Sequence, residues 1–224
     1  MLVGRPVMSM PDSVADMTQE KPVLDAQHVA KAYGRHQVLK DVTFRIGPGE
    51  ITGITGENGS GKSTLLNAIV GRIRADAGRI VHSGKLGYCP QELLIFESLT
   101  VEENLRYFAT GYGLHHREAV WQRAAKGLLE RFRCSQYIRT PVSQLSGGTK
   151  QKLNLILAFL HSPDLLVLDE PYAGFDWETY LQFWEYAREL RAQGKSILVV
   201  AHLVYDSTQL NTVYKLTGGV LECA

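Results

Sequence analysis

Long apolar runs are missing from this chain of 224 residues. The longest goes only from Leu155 to Leu160, far short of the ~20 residues a membrane-crossing helix needs. Cysteine is scarce: Cys89, Cys134 and Cys223 are odd in number and irregularly spaced. That excludes a disulfide framework and paired zinc knuckles, and it reads as reduced thiols. An excess of one charge is also lacking, since 24 Lys and Arg face 23 Asp and Glu for a net charge of +1. No overall electrostatic case exists for nucleic acid or an acidic partner. There is no internal repeat and no low-complexity tract. What is present, 45% apolar and 21% charged residues, suits one sizeable core or at most two small lobes. The stretch from Met1 to Lys21 carries Arg5, Pro6, Ser9, Pro11 and Asp12 without a continuous apolar segment. It does not read as a signal peptide. Residues 1–22 are expected to be a disordered lead-in, and the chain is expected inside a cell.

Beyond that lead-in, strands alternate with helices. Val23 to Val29 and Asp41 to Ile46 read as strands, and Glu50 to Thr55 as a short one feeding a helix from Lys62 to Val70. Arg79 to His82 and Lys85 to Tyr88 are two brief strands around Ser83-Gly84. From Thr100 to Thr140 the pattern turns helical. Thr100 with Glu103 makes a capping box, and a second helix is predicted over Glu118 to Arg133. A helix from Thr149 to Leu160, a strand from Leu165 to Asp169 and a helix from Trp177 to Ala192 follow, the last ended by Gly194. Strand Ser196 to Ala201, a short helix near Val204 to Leu210 and two strands flanking Gly218-Gly219 complete the chain. This order predicts an α/β fold with a mainly parallel sheet and an inserted helical lobe.

Three motifs carry chemistry. Gly56-Glu57-Asn58-Gly59-Ser60-Gly61-Lys62-Ser63-Thr64 is a complete phosphate loop, with a strand before it and a helix after it. Its glycines let backbone N–H groups close around phosphate oxygens. Lys62 can neutralise β- and γ-phosphates, Ser63 can ligate Mg²⁺, and the helix presents its positive end. The apolar run Leu165 to Leu168 delivers Asp169 and Glu170 to the carboxyl edge of the sheet, where ligands bind in open α/β folds. Asp169 is expected to hold the Mg²⁺, and Glu170 to act as general base on the attacking water. Leu145-Ser146-Gly147-Gly148 is a glycine turn that opens a helix, with a hydroxyl, backbone N–H groups and a helix amino terminus suited to clamp a γ-phosphate.

With these motifs, the span from about Val23 onward resembles the nucleotide-binding subunit of an ATP-binding cassette (ABC) protein. Leu145-Ser146-Gly147-Gly148 is similar to that family's signature sequence. The resemblance implies a P-loop nucleoside triphosphatase core over residues 23–224, an antiparallel β-subdomain and a helical subdomain at about 93–148. It implies ATP and Mg²⁺ as cofactors, and two subunits dimerising head to tail. Each subunit would clamp ATP between its own phosphate loop and its partner's Ser146, Gly147 and Gly148.

Further positions follow from the resemblance. Tyr33 stands where the family stacks an aromatic ring on adenine. Gln91, in Tyr88-Cys89-Pro90-Gln91, stands where a glutamine touches Mg²⁺ and the water. Gly174-Phe175-Asp176 matches a dimer-facing loop, and His202 matches a histidine that contacts the γ-phosphate. Thr149 replaces a common glutamine and Phe175 a usual leucine, and neither change removes a catalytic group. The Arg79 to Tyr88 segment is short for the family, which predicts a trimmed β-subdomain.

The activity implied is ATP hydrolysis that powers a membrane transporter whose transmembrane subunits are separate polypeptides. The partners implied are those subunits and a second ATPase subunit, identical or not, with no nucleic acid. The implied location is cytoplasmic, on the inner face of the membrane. The segment Glu92 to Phe108 corresponds to the surface that receives the membrane partner's coupling helix. Leu99 to Leu114 looks most like subunits of drug, antibiotic or polysaccharide exporters. The alternative is a soluble cassette ATPase acting as a clamp or assembly factor in translation, DNA repair or iron–sulfur assembly.

Overall fold

The computed structural model describes residues 21–201 and 207–224. The readings made for residues 1–20 and for His202 lie outside the described residues, as does the start of the short helix expected near Val204.

Two sheets organise the chain. The larger has the order β5-β6-β7-β3-β8-β9, built from Leu86–Cys89 (β5), Leu165–Asp169 (β6), Ser196–Val200 (β7), Ile51–Thr55 (β3), Thr212–Thr217 (β8) and Val220–Cys223 (β9). Its first five strands are parallel, and β9 returns antiparallel along β8. Every residue of β6 and of β7 is buried. That is why they read as continuous apolar runs: both faces of a parallel sheet are covered. The smaller sheet is antiparallel, with Leu24–Tyr33 (β1) between His36–Ile46 (β2) and Ala77–His82 (β4). Leu39, Val42, Phe44 and Ile46 point from β2 into a core shared with the larger sheet, where Ile54, Val167 and Leu198 meet them.

Both strands of the β1–β2 hairpin run further than the sequence pattern indicated. They continue to Tyr33 and back from His36 through a tight turn at Gly34-Arg35. The extension is mostly polar and partly exposed, and its register is irregular, so the period-2 signal fades there. The two brief strands around Ser83-Gly84 part company: β4 joins the small sheet and β5 the large one. The crossing is tight, since a Cβ on Gly84 would sit 2.4 Å from an Asp164 carboxylate oxygen.

Five α-helices complete the described fold: Lys62–Ile69 (α1), Val101–Gly111 (α2), Glu118–Arg131 (α3), Gly147–Phe159 (α4) and Trp177–Ala192 (α5). The capping box is present at α2, with Thr100 and Glu103 satisfying each other's backbone N–H groups. Helix α3 stops two residues before the expected Arg133. Phe132 turns fully into the core, and Arg133 adopts a left-handed φ of 54° that ends the helix. Helix α4 starts at Gly147 rather than Thr149, because Ser146 caps it by accepting from the Thr149 N–H. From Leu153 to Phe159 every residue of α4 is buried, as it lies between the helical lobe and the large sheet. None of the described helices is long and apolar enough to cross a membrane.

Candidate functional site

Strand β3 ends at Thr55, and the chain loops through Gly56 to Gly61 before α1 begins. The loop needs glycine: Gly59 has φ 80° and Gly61 φ 107°, conformations that side chains resist. At Gly56 space is the constraint, because a Cβ would lie 2.5 Å from the Leu216 carbonyl oxygen on β8. Lys62 is buried, and its Nζ donates to the carbonyls of Gly56 at 2.6 Å and Glu57 at 2.9 Å. Its ammonium is thereby held against the inside of the loop. The Ser60 hydroxyl oxygen is enclosed without a hydrogen-bond partner.

A cavity of about 190 Å³ opens beside this loop. Asn58, Gly59 and residues 61–64 line one side, while Gln91, Asp169 and Glu170 line the other. The parallel pairing of β5 with β6 sets Cys89 beside Leu168, and so brings the segments that follow both strands to one edge. Asp169 is 6% exposed. Burial first, then the Asp169 charge, pushes the neighbouring Cys89 thiol up to about 12, so this cysteine is an inert core group. Glu170 has a left-handed φ of 49°, rare for a residue with a side chain. Its N–H donates to the Val200 carbonyl at 2.8 Å, and Gln91 Nε2 donates to its Oε2 at 3.3 Å. Backbone strain of this kind clusters at functional sites.

The structure therefore gathers the phosphate loop, Gln91, Asp169 and Glu170 into one pocket. It does not bring Ser146, Gly147 and Gly148 there. They do not line the cavity, and Ser146 and Gly147 are exposed. The Ser146 hydroxyl oxygen lies 2.9 Å from that of Thr149. Tyr33 is also outside the cavity, 53% exposed at the end of β1 beside the Lys31 ammonium. Asp176 caps α5, accepting from the Thr179 N–H at 2.7 Å, and that bond holds its carboxyl below the usual range. Three residues escaped the sequence reading. Val38 lines the cavity from β2. Asn104 and Asn154, both buried, hold the segment after Gln91. The signal for Asn154 was present, as a lone amide within the apolar stretch Leu153 to Leu160.

Comparison with known proteins agrees with this geometry. Residues 39–173 match the model of the ABC transporter family. The chain is 32% identical to the linearmycin resistance ATP-binding protein LnrL of Bacillus subtilis, over 82% of this chain and 62% of that protein. It is 34% identical to the Nod factor export ATP-binding protein I of Rhizobium etli, over 88% of this chain and 66% of that protein. It thus spans less than two thirds of the length of these curated relatives. Among solved structures, an ATP-binding subunit of an ABC transporter superposes with a TM-score of 0.85 at 30% identity, covering 90% of this chain and 89% of that one. The chain belongs to the ABC transporter family, as one of its ATP-binding domains.

Proposed function

We propose that this chain binds and hydrolyses ATP as one half of a dimer and so powers a membrane exporter whose transmembrane subunits are separate chains. The observation that carries the reading is the single cavity shared by the phosphate loop, Gln91, Asp169 and Glu170. The residues present fit a nucleotide. The enclosed Ser60 hydroxyl lacks a protein partner, the loop glycines leave its backbone open, and Lys62 supplies a positive charge. Oxygen donors from Ser63, Gln91 and Asp169 face the same space and suit a Mg²⁺ that arrives with phosphate oxygens.

ATP, when bound with Mg²⁺, supplies a γ-phosphoryl group whose negative charge must be balanced during transfer. Lys62, the loop N–H groups and the start of α1 provide that balance. Ser63, Gln91 and Asp169 would hold the Mg²⁺, which would offset phosphate charge, and Gln91 would also orient the water. Glu170 takes the water's proton, its carboxylate aimed by the constrained backbone and by the Gln91 amide. Tyr33 offers its exposed ring to adenine. Ser146, Gly147 and Gly148 lie away from this cavity and complete the site of the second subunit. His202 lies outside the described residues, and its γ-phosphate role rests on the family resemblance alone.

The link to transport rests on the surface that follows Gln91. Leu93, Leu94, Phe96 and Tyr107 are exposed apolar side chains, and the Phe96 and Tyr107 rings meet at 4.5 Å. Such a patch suits a coupling segment from a membrane partner. The names of the relatives, linearmycin resistance and Nod factor export, support an exporter. Phosphate release from ATP, measured for the full chain and for Lys62→Ala, tests the activity. Co-purification with membrane subunits tests the coupling. A chain that releases no phosphate at any protein concentration, or that travels only with soluble partners, overturns the corresponding half of the reading.

A further inference from the structure

Two buried amide side chains sit one turn apart on α4, the helix that Ser146 caps. Asn154 is 3% exposed and Gln151 7%. Asn154 Nδ2 donates to the Pro90 carbonyl at 3.0 Å and to Cys89 Sγ at 3.3 Å, and its Oδ1 accepts from the Leu94 N–H at 3.1 Å. One side chain thus grips the backbone on both sides of Gln91. Gln151 Nε2 donates to the Pro171 carbonyl at 3.4 Å, and Pro171 directly follows Glu170. Pro90 and Pro171 are themselves buried, so their carbonyls need a partner inside the protein. The partners' chemistry leaves each amide one orientation, since an N–H must meet an oxygen and a carbonyl must meet an NH₂.

An ordinary core residue at either position would be apolar, as Leu153, Leu155, Ile156 and Leu157 are. Amides buried at these two positions reach the two loops that carry the Gln91–Glu170 pair. We infer that Asn154 and Gln151 are positioning residues, which make α4 the frame that holds Gln91 and Glu170 in register. The inference rests on the proposed ATP hydrolysis and extends it. A displacement of α4, whose amino terminus carries Ser146, would move both reacting side chains together. Catalytic geometry within one subunit is then tied to whatever engages Ser146.

The test uses the full chain. Asn154→Leu keeps the branched shape, with bulkier ends, and removes every side-chain hydrogen bond. The Leu94 amide and its neighbours should exchange hydrogen roughly tenfold faster or more, with β3 and α1 unchanged. Turnover should fall about ten- to hundredfold with ATP affinity nearly constant, the scale expected of misplaced reacting groups. In the Gln91→Ala background the same substitution should cost little more, because contributions made through one residue do not add. Unchanged exchange at Leu94, or fully additive losses in that cycle, overturns the inference. If Asn154→Leu does not fold, Gln151→Met decides. It should lower kcat severalfold with KM unchanged, and an unaltered kcat sinks the role. A parent chain that hydrolyses no ATP refutes the proposed function instead, and hydrogen exchange at Leu94 still decides whether Asn154 holds the segment.

Discussion

Gln91 Nε2 donates to Glu170 Oε2 at 3.3 Å, joining residues 79 positions apart. The bond crosses from the segment after β5 to the end of β6, and it places an amide and a carboxylate beside the Lys62 loop. Glu170 is held there with a left-handed backbone. Glu170→Gln should lower ATP turnover by about two to four orders of magnitude while ATP still binds, the range for losing a general base. Paired phosphate-release and nucleotide-binding measurements check this. Hydrolysis at the parent rate would remove Glu170 from its role.

Gly56→Ala tests the loop's fit against β8. The added Cβ would lie 2.5 Å from the Leu216 carbonyl oxygen and 2.7 Å from Ser60 Oγ. The carbonyl is backbone and cannot swing aside, so the loop or β8 must shift. Loss of about 1–3 kcal/mol of stability is expected from the overpacking, together with weaker nucleotide binding. Urea denaturation and ATP titration give the two readings, and an unchanged affinity would show that the loop tolerates the shift.

His161 gives the chain a pH-dependent stability. Its ring stacks on Tyr112 at 3.8 Å, Nε2 lies 3.1 Å from the Leu86 carbonyl, and Nδ1 is buried without a partner. Burial is the main cause of its lowered pKa. The Leu86 carbonyl and the Asp164 charge oppose the shift, and the Lys85 charge adds to it. The unfolded chain therefore takes up this proton first as pH falls below about 6.5, the ordinary value. Stability should drop from there down to the folded value, with a slope reaching at most about 1.4 kcal/mol per pH unit. Urea midpoints between pH 7.5 and 5 should show a smaller acid loss in His161→Phe than in the parent chain. Equal losses would assign the slope to other groups.

Turnover should depend on protein concentration. Ser146 and Gly147 are exposed and lie outside the cavity that holds Lys62 and Glu170. If they complete a second subunit's site, specific activity rises as dimers form, and Ser146→Arg suppresses it without unfolding the chain. Full activity from a species that remains monomeric in sedimentation would sink the shared site.

Much of the site is legible in the sequence, because its signals are contiguous. The phosphate loop, the apolar strand ending in Asp169-Glu170 and the Thr100–Glu103 capping box each lie within a few residues. Their local backbone demands appear directly as glycine, acid and hydroxyl side chains. Helix α5 and strand β6 came out with the expected bounds, since caps and apolar runs mark them. Polar, irregular stretches were less legible: β1 and β2 extend into residues with no alternation, and α3 ends where Phe132 turns inward.

By itself, the sequence determined the fold class, the family resemblance and the identity of the chemical groups, all carried by short-range pattern. Tertiary structure alone decided that β4 and β5 join different sheets, that Gln91 meets Glu170, and that Asn154 grips both sides of Gln91. The position of Ser146 outside the cavity agrees with the expectation that it serves a partner's site. Each of those tertiary arrangements depends on strand order and on helix packing between residues distant in the chain. No local preference encodes such long-range pairings. They are set by burying each apolar face of the mainly parallel sheet in its own core, one on either side.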